Sequence, residues 1–354
     1  MRSLAASAVG SITVPAGTPT VSVIFPVRNE ERFIEACLES VLAQDYPADR
    51  IEILLVDGKS SDRTRELAAA VLADRIAGGS AGILDNPRGI ASTAMNIGIG
   101  ASTGDVIVRA DGHTVLPPDY VRRSVEVLQE TGSQCVGGAI RTLGSGPVGR
   151  AIAAAQSSRF GVGGVAFRTG RGTAGPVDTV PFGAWPREVF ACIGDFDTEL
   201  VRNQDDELNY RLRQAGGTVW YDPAIRTDYF AAPSLRRFWH QYFQYGEYKI
   251  MVAQKRNGFA SVRHVVPATF VVATATSLVL AVARRDPRWA LALLGPYAVA
   301  NGAASIAAAR RTKAHPARVA VAFAVLHTSY GTGFIKGVWR WRRAVRLRRD
   351  GRRP

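Results

Sequence analysis

Short apolar runs alternate with amphipathic helical patterns through the first half of the chain. The segments between the runs place apolar residues three and four positions apart, as in Ile34, Leu38 and Val41, which predicts helices that bury one face. The apolar runs, which predict buried β-strands, are residues 21–25, 51–56, 82–84 and 105–110. Because the runs are almost continuously apolar, we expect an α/β, Rossmann-like fold with a mainly parallel sheet and helices on both faces.

Polar segments directly follow three of the predicted strands. They are residues 26–30, 57–61 and 111–113. Ligands of open parallel sheets bind beyond the carboxyl ends of the strands. The sequence therefore predicts one binding site to which all three segments contribute.

The composition changes in the middle of the chain. Residues 132–200 are rich in glycine with scattered arginines, which fits either mobile surface loops or loops that close over a ligand. A helix is predicted at 205–215. Residues 236–255 then mix aromatic and basic side chains at helical spacing, a pattern typical of an amphipathic helix at a membrane surface. We assign residues 236–264 to this interfacial region.

The C-terminal quarter is strongly apolar. Residues 265–283 and 289–309 carry no charge and are long enough to cross about 30 Å of hydrocarbon. Buried core helices are the alternative, but a charge-free length near twenty residues favours spans. Residues 319–335 are shorter and have a polar centre, so their assignment stays open. The sequence predicts two or three transmembrane helices within 265–335, followed by a basic tail at 336–354.

The charge of the protein is concentrated in that tail. The 354 residues carry a net charge of +14, and the tail contributes +8 of it, from nine Lys/Arg and one Asp. An excess of this size suggests an anionic partner, such as nucleic acid, lipid headgroups or a phosphorylated substrate. Three spans would place the tail outside the cell, so the positive-inside rule favours two spans and a cytosolic tail.

The N-terminal segment and the cysteines add weaker constraints. Residues 1–20 hold one Arg and a short apolar patch broken by Gly, Ser and Pro, which predicts a flexible leader rather than a signal peptide. Cys37, Cys135 and Cys192 are widely spaced and odd in number, a pattern that supports neither a zinc site nor a disulfide framework. A reduced, cytosolic location for most of the chain follows.

Three motifs carry candidate chemistry. Asp111 and His113, two residues apart after a strand, can share a divalent cation that neutralises a diphosphate, although a plain turn is the alternative. Residues 86–89 lead into a helix and offer backbone N–H groups and Arg88 to phosphate oxygens. The three acids of 204–207 begin a helix, where they complement its dipole or supply a general base.

The order of these motifs resembles glycosyltransferase family 2, the inverting enzymes of the GT-A fold. The order is PVRNE, VDGKSSD, NPRGIASTAMNIG, RADGH and RNQDDELNYRLRQAG, and it covers about residues 20–250. The stretches FGVGGVAFRTG, VDTVPFGAWPREVF and QYFQYG are similar to the succinoglycan-biosynthesis (ExoA-type) branch. The resemblance implies a GT-A domain at 21–235.

The resemblance also implies roles for individual residues on the donor side. The residues that would line the nucleotide-sugar pocket are Pro26, Arg28, Glu30, Asp57, Arg88 and Asp111, with Asp57 accepting a hydrogen bond from the base. Asp111 and His113 would bind the cation. His113 stands where most relatives carry a second Asp, and an imidazole ligand favours Mn²⁺ over Mg²⁺.

On the acceptor side, the resemblance assigns the general base to Asp205. Gln204 replaces the Glu that usually precedes this acid. Contacts to the acceptor or the diphosphate are expected from Trp185, Asp206, Gln241 and Tyr245. Gln241 and Tyr245 belong to the segment QYFQYG. This segment lies where the family carries another motif, and it does not match that motif.

Together these inferences predict a membrane-associated inverting glycosyltransferase with a cytoplasmic catalytic domain, anchored in the cell membrane by several passes. It would transfer sugar from a nucleotide-diphosphate sugar, a UDP-hexose, to a polyprenyl-diphosphate-linked saccharide in exopolysaccharide or cell-surface glycan synthesis. An alternative is a transferase that loads sugar directly onto polyprenyl phosphate. Alternatives of another class are a non-catalytic membrane scaffold and a nucleic-acid-binding protein that uses the basic tail.

Overall fold

The computed structural model describes residues 9–256 and 262–349, and it divides the chain into two compact units. The first unit takes the described residues up to Arg141 together with Gly170–Tyr229. The second takes Thr142–Thr169 and the described residues from Phe230 onward. The predicted catalytic domain at 21–235 is therefore interrupted, because 142–169 cluster with the C-terminal helices.

The strands and helices follow the predicted alternation closely. The strands are β1 (Val21–Val27), β2 (Ile51–Asp57), β3 (Ala81–Asp85), β4 (Val106–Arg109), β5 (Thr114–Val115), β6 (Cys135–Leu143), β7 (Gly175–Pro176), β8 (Ala184–Pro186) and β9 (Val219–Phe230). The α-helices are α1 (Ile34–Leu42), α2 (Thr64–Val71), α3 (Ala73–Ala77), α4 (Ala91–Ala101), α5 (Tyr120–Thr131), α6 (Gly146–Gln156), α7 (Arg159–Val162), α8 (Ala166–Thr169), α9 (Glu188–Ile193), α10 (Gln204–Gln214), α11 (Leu235–Lys255), α12 (Val266–Ala283), α13 (Arg288–Thr312) and α14 (Pro316–Arg349). Short 3₁₀ turns lie at Ala48–Arg50 and Val262–His264.

The described strands form one sheet in the order β3-β2-β1-β4-β8-β6-β9-β5, with β7 added beside β9. The pairs among β3, β2, β1 and β4 are parallel, as predicted. Beyond β4 the sheet departs from the prediction, because β8 pairs antiparallel with β4 and with β6, and β5 and β7 pair antiparallel with β9. The sheet is therefore mixed, with parallel pairs from β3 to β4 and antiparallel pairs from β4 to β6 and between β9 and its neighbours β5 and β7.

The apolar runs become strands because both of their faces are buried. Val21, Val23, Ile24 and Phe25 of β1 have no exposed surface, as expected for an inner strand of a sheet covered on both sides. Pro26 has no N–H to donate, yet it lies in this strand. The ladder between β1 and β4 runs only from Val21 to Ile24, so Pro26 lies beyond it.

The prediction of a flexible leader is wrong for residues 9–20. Val9 and Val14 are 2% and 7% exposed, and Val14 belongs to the core of the first unit. The side chain of Gln134 donates hydrogen bonds to the carbonyls of Gly10 and Ile12 at 3.3 and 2.9 Å. The segment is held because its few apolar side chains and its backbone carbonyls find partners that its composition does not reveal. Residues 1–8 lie outside the described part of the chain.

In the second unit, glycines allow helices to approach closely. A Cβ at Gly333 of α14 would overlap the carbonyl oxygen of Phe243 in α11, and one at Gly337 would lie 2.5 Å from the carbonyl oxygen of Glu247. A Cβ at Gly331 would overlap the carbonyl of Pro267 in α12. The polar, glycine-containing centre of 319–335 is therefore a packing surface between helices.

Two of the described helices are long and apolar enough to cross a membrane, namely α12 and α13. These helices carry exposed apolar side chains such as Val279, Val282 and Val299, which are 66%, 79% and 75% exposed. The third candidate span, 319–335, is not among them. It lies within α14, and its Val319 and Phe323 are fully buried. The predicted tail is not a separate element either, because α14 continues to Arg349.

The predicted amphipathic helix at 236–255 exists as α11. Its Phe238 and Tyr242 are 0% and 6% exposed and belong to the core of the second unit, with Phe323 of α14. Trp239 remains 40% exposed. Part of the aromatic pattern is thus explained by packing between helices, and a location at the membrane surface stays a prediction. Residues 257–261 of the predicted interfacial region lie outside the described residues.

Candidate active site

The loops that follow β1, β2 and β3 are joined by backbone hydrogen bonds. The N–H of Gly58 donates to the carbonyl of Val27 at 2.8 Å, and the N–H of Asn86 donates to the carbonyl of Asp57 at 2.8 Å. The three strands are parallel neighbours, so their carboxyl ends meet at one edge. Two of the three polar segments predicted to share a site, and the Asn86–Gly89 motif with them, are therefore adjacent.

Side chains tie the first two loops together more firmly. The N–H of Asn29 donates to Ser60 Oγ at 2.9 Å, and the N–H of Ser61 donates to Asn29 Oδ1 at 2.8 Å. Asp57 is only 5% exposed and accepts a hydrogen bond from the Ser60 hydroxyl at 2.6 Å. Arg65 of α2, which the sequence analysis did not single out, lies 3.8 Å from the other Asp57 oxygen.

Arg28 packs against the third loop. Gly89 has φ +64°, and a Cβ there would lie only 2.9 Å from Arg28 Nη1. A Cβ at Gly58 would lie 3.2 Å from Gly89 Cα, so these loops touch without side chains between them. Arg88 is exposed, and its Nη2 is 3.4 Å from the carbonyl oxygen of Thr198.

A buried guanidinium joins the two carboxylates that carry the predicted chemistry. Arg109, the last residue of β4, is 4% exposed. Its Nε and Nη2 donate to the two oxygens of Asp111 at 2.9 and 3.3 Å, and its Nη1 donates to Asp205 Oδ1 at 2.6 Å. The Phe182 ring lies 5.9 Å from the guanidinium carbon. Two predicted site residues 94 positions apart in the sequence, Asp111 and Asp205, thus share one cation.

Arg109 is not among the predicted site residues, although its position in the sequence carries a signal. Arg109 ends an otherwise apolar inner strand, DVIVRA, and a charge in such a position must be paired when the strand is buried. The partners of a buried charge cannot be read from the sequence, because one of them is distant in the chain.

The electrostatics of this cluster suit a general base. Burial raises the pKa of Asp205, the Arg109 guanidinium lowers it, and the Asp111 carboxylate raises it, with a net increase above the ordinary value for Asp. Burial lowers the pKa of Arg109, but the two carboxylates outweigh it, so the guanidinium stays charged. A raised pKa makes the Asp205 carboxylate a stronger proton acceptor once it is ionised.

The other acids at the start of α10 have different surroundings. Glu207 is 4% exposed and pairs with Arg211 at 2.7 Å, while Arg211 also donates to the carbonyl of Asp195 at 2.7 Å. Glu207 therefore anchors a loop. Asp206 is 9% exposed. The contact with Arg109 thus distinguishes Asp205 from its neighbours in QDDE.

His113, the second predicted cation ligand, pairs with Glu30. Its Nδ1 lies 2.9 Å from Glu30 Oε1, and its ring meets the Tyr229 ring edge-on with centroids 4.9 Å apart. Burial lowers the pKa of His113, but the negative charges of Glu30 and Asp111 outweigh it, so the pKa lies above its usual value. The site thus brings the β1 loop and the β4 loop together through side chains.

These donors fit a divalent cation shared with a substrate better than a closed metal site. Among the described residues no three His, Cys, Asp or Glu side chains converge as a metal cluster. Mg²⁺ and similar cations are often held by one or two protein ligands, with phosphate oxygens and water in the remaining positions. Asp111 and His113 supply such a pair, although the Asp111 oxygens already accept hydrogen bonds from Arg109.

Unusual backbone conformations of the first unit gather at these loops. Within the described part of that unit, the non-glycine residues with positive φ are Asn29 (57°), Lys59 (61°), Phe182 (49°) and Asn203 (62°). Each lies in or beside a segment described above. A positive φ is most costly for a bulky residue such as Phe182, and strained positions of this kind are concentrated at functional sites.

The remaining predicted acceptor residues are placed elsewhere. Trp185 has no exposed surface and packs edge-on against Phe190 and Phe196, so it is a core residue and the contact with acceptor predicted for it does not fit this position. Gln241 and Tyr245 lie on α11 in the second unit, where Gln241 Nε2 is 3.3 Å from the Tyr245 hydroxyl.

Known proteins resemble this chain in sequence along most of its length. The family described as Glycosyl transferase family 2 matches residues 22–164. The succinoglycan biosynthesis protein ExoA of Rhizobium meliloti (strain 1021) is 30% identical over 341 residues, which are 91% of this chain and 96% of the relative. A dolichyl N-acetyl-alpha-D-glucosaminyl phosphate 3-beta-D-2,3-diacetamido-2,3-dideoxy-beta-D-glucuronosyltransferase of Methanococcus voltae is 27% identical over 245 residues, covering 66% of this chain and 74% of its own.

Among solved structures, the mannosyltransferase PcManGT from Pyrobaculum calidifontis, in complex with GDP-Man and Mn²⁺, has a similar fold. The TM-score is 0.59 at 18% sequence identity, with 96% of this chain and 99% of that chain covered. This likeness confirms the predicted GT-A fold class. Since a relative with 30% identity matches over nearly the whole length of both proteins, the chain belongs to glycosyltransferase family 2 and is a glycosyltransferase.

Proposed function

We propose that this protein is a membrane-associated inverting glycosyltransferase that transfers sugar from a nucleotide-diphosphate sugar, with a UDP-hexose as donor. The observation that carries the proposal is the bridge from Asp111 through Arg109 to Asp205. In this bridge one buried cation joins Asp111, which the resemblance assigns to the donor, and Asp205, which it assigns to the acceptor. A displacement reaction needs both functions around one carbon atom.

The donor would lie over the joined loops that follow β1, β2 and β3. Asp57, whose carboxylate accepts a hydrogen bond from the Ser60 hydroxyl, would accept a further hydrogen bond from the base. Arg28 and Pro26 would line the nucleotide pocket. Arg88 and the backbone N–H groups of residues 86–89, which precede α4, would contact the diphosphate. PcManGT is in complex with GDP-Man, so guanosine nucleotides are the first alternative to a uridine donor.

In the proposed reaction, the Asp205 carboxylate takes the proton of the acceptor hydroxyl. The hydroxyl oxygen bonds to the anomeric carbon while the bond from that carbon to the diphosphate oxygen breaks. One displacement inverts the configuration, so an α-linked donor gives a β-linkage, and no covalent enzyme intermediate is needed. Asp206 would contact the acceptor beside Asp205.

Asp111 and His113 would hold a divalent cation, Mn²⁺ in preference to Mg²⁺, which supplies positive charge to the diphosphate as it leaves. The complex of PcManGT with Mn²⁺ supports a cation of this kind. Arg109 would keep the Asp111 carboxylate oriented for this role and would keep Asp205 ionised.

The acceptor would be a polyprenyl-diphosphate-linked saccharide, used in exopolysaccharide or cell-surface glycan synthesis. The exposed apolar faces of α12 and α13 support association with a membrane. Our proposal adds anchoring in the cell membrane by several passes, with a cytoplasmic catalytic domain. The name of the M. voltae relative, which contains a dolichyl-linked sugar phosphate, supports a lipid-linked acceptor, and the name of the R. meliloti relative supports a role in polysaccharide synthesis. Gln241 and Tyr245 of α11 would meet that acceptor, and basic residues of the tail would attract anionic lipid.

A sugar screen tests the central proposal. Purified full-length protein in detergent is incubated with uridine or guanosine nucleotide sugars and Mn²⁺. Binding of the nucleotide sugar and release of the nucleotide are measured. We expect one uridine nucleotide sugar to bind and turn over. If no nucleotide sugar of either kind binds, the proposal fails.

The base is tested by Asp205→Asn, with Asp74→Asn as the matched control, since Asp74 is exposed on α3 of the same unit. Loss of the proton acceptor should lower transfer by at least about 10²-fold while nucleotide-sugar binding persists. The control should transfer at the normal rate. Normal turnover by Asp205→Asn would move the base to another residue.

The product distinguishes the remaining alternatives. A sugar monophosphate-lipid would identify an enzyme that loads polyprenyl phosphate directly. RNA binding that disappears on deletion of 342–354, while transfer persists, would make nucleic-acid binding incidental.

A further inference from the structure

The pair formed by Glu30 and His113 connects loops 83 positions apart in the sequence. The resemblance places Glu30 in the nucleotide pocket, but in the structure its carboxylate is directed at the imidazole. Glu30 Oε1 lies 2.9 Å from His113 Nδ1, and the two side chains are 21% and 25% exposed. The contact is therefore partly shielded from water and joins two predicted substrate-binding segments.

The chain is built to bring these side chains together. A Cβ at Gly112 would lie 3.0 Å from Glu30 Cγ and 2.8 Å from Val27 Cγ1, so only glycine allows the turn before His113 to come this close. The turn is fixed by the hydrogen bond from the Thr114 N–H to the Asp111 carbonyl at 3.0 Å. Gly112 in the D-G-H motif is thus explained by the approach to Glu30.

Glu30 itself is held on both sides of its peptide unit. Its N–H donates to Thr64 Oγ1 at 2.7 Å, at the first residue of α2. Its carbonyl accepts from the N–H groups of Phe33 and Ile34 at 2.9 Å each. The carboxylate is therefore presented by a fixed backbone.

The imidazole is oriented as well. The Tyr229 ring packs against it, and Thr114, the next residue, pairs with Tyr229 in the ladder between β5 and β9. In the described part of the chain, the hydrogen bond of this ring to protein is the one at Nδ1. A carboxylate can only accept, so Nδ1 carries the proton and the lone pair of the neutral ring lies on Nε2.

We propose that Glu30 is a positioning residue that fixes the His113 tautomer and directs Nε2 to the divalent cation of the donor diphosphate. The inference rests on the proposed function for its cation. A carboxylate behind a ligating histidine is a recurrent arrangement that fixes the ring and strengthens its lone pair. Glu30 therefore acts through His113, and its effect appears in cation binding before it appears in nucleotide binding.

The test compares Glu30→Ala and Glu30→Gln with the matched control Glu31→Gln, an exposed neighbour. Binding of Mn²⁺ to the full-length protein is titrated by electron paramagnetic resonance in the presence of UDP. UDP binding is measured separately in EDTA. We expect Glu30→Ala to weaken Mn²⁺ binding about 10- to 100-fold. Glu30→Gln should lose less, because its amide oxygen can still accept from Nδ1. The control and the EDTA measurement should not change.

A spectroscopic readout separates the inference from the proposed activity. Nitrogen NMR of metal-free protein with labelled histidine, assigned with His113→Gln and recorded at an alkaline pH where the ring is neutral, reports which ring nitrogen carries the proton. We expect Nδ1–H in the parent and a mixture of tautomers in Glu30→Ala. The inference is overturned if the tautomer does not change in Glu30→Ala. It is also overturned if UDP binding in EDTA falls while Mn²⁺ binding is unchanged. Equal loss of Mn²⁺ binding in both Glu30 variants would overturn it too, because Glu30 would then be a ligand itself. Failure of the proposed function is a different result, the absence of donor turnover in the parent protein.

Discussion

Each unit of the protein contains one buried charge between two opposite charges, and the two clusters differ in their surroundings. In the first unit, Arg109 is 4% exposed, and its partners Asp111 and Asp205 have side chains only 18% and 20% exposed. In the second, Glu247 of α11 is 4% exposed, and pairs with Lys336 and Arg340 of α14 at 3.4 and 2.8 Å. The side chains of Lys336 and Arg340 are half exposed, at 55% and 50%.

The difference separates a cluster suited to chemistry from one suited to holding helices. The carboxylates around Arg109 are withdrawn from water and lie next to loops in strained conformations, so their charges can act on a bound substrate. The cations around Glu247 keep much of their hydration and lie where two helices pack closely. We expect changes in the first cluster to affect transfer and changes in the second to affect stability.

The largest expected effect follows from Arg109→Met. It leaves Asp111 and Asp205 near each other with no cation between them, so we expect transfer to fall by about 10²–10³-fold, the size seen when one stabilising group is removed. Arg109→Lys should recover part of this rate, since lysine restores the positive charge but not the bidentate hydrogen bonding of the guanidinium. Steady-state rates measure the effect. Arg122→Met is the control, because Arg122 pairs with Asp45 and Glu126 at the surface and should be dispensable. Equal rates for the two Met variants would contradict the comparison.

The double variant Lys336→Met with Arg340→Met should lower stability. It leaves Glu247 buried without a compensating charge, which costs about 3 kcal/mol in unfolding free energy. Thermal unfolding of the detergent-solubilised protein gives the measurement. Transfer at a temperature where the variant is folded should be near normal.

The reverse change, Glu247→Gln, should cost less, about 1 kcal/mol, because the two cations left behind are already half in water. The asymmetry between the two changes tests whether exposure of the partners controls the cost. If Glu247→Gln is the more damaging change, the carboxylate has another role.

The smallest expected effect is a shift in pH dependence. Asp205 must be ionised to accept a proton, and its pKa is raised, so transfer should fall on acidification at a pH above the ordinary Asp value of 3.8. Arg109 lowers this pKa, so the acidic limb of the rate profile should lie at higher pH in Arg109→Lys, whose ammonium replaces the bidentate guanidinium. A limb that stays in place would argue that Arg109 does not act on the base.

Much of the fold could be predicted because it depends on local pattern. The apolar runs of β1, β2 and β4 and the helical spacing around Leu38 are sufficient to identify a sheet with helices. The antiparallel side of the sheet could not be predicted, because β8 and β9 follow glycine-rich sequence and their pairing depends on distant strands. The buried leader around Val14 was missed for the same reason.

The sequence proposes candidate residues for the site, whose roles stay predictions, but it does not reveal their contacts. Asp57, Asp111, His113 and Asp205 were identified through motifs. Their partners were not, because Arg109 pairs across 96 positions with Asp205 and Glu30 pairs across 83 with His113. The contact with the acceptor predicted for Trp185 does not fit its buried position. Sequence alone does not show whether an aromatic residue in a motif-rich segment is buried or exposed.

By itself, the sequence determined which segments form strands and helices, which family the chain resembles and where the apolar C-terminal helices lie, because these depend on composition and near-neighbour spacing. Only the tertiary structure decided which acid of QDDE meets a buried arginine, which side of His113 is already occupied and which aromatic residues are core. Those outcomes depend on how closely distant segments approach, and the strength of a charge or a hydrogen bond is set by that approach and by the water it excludes.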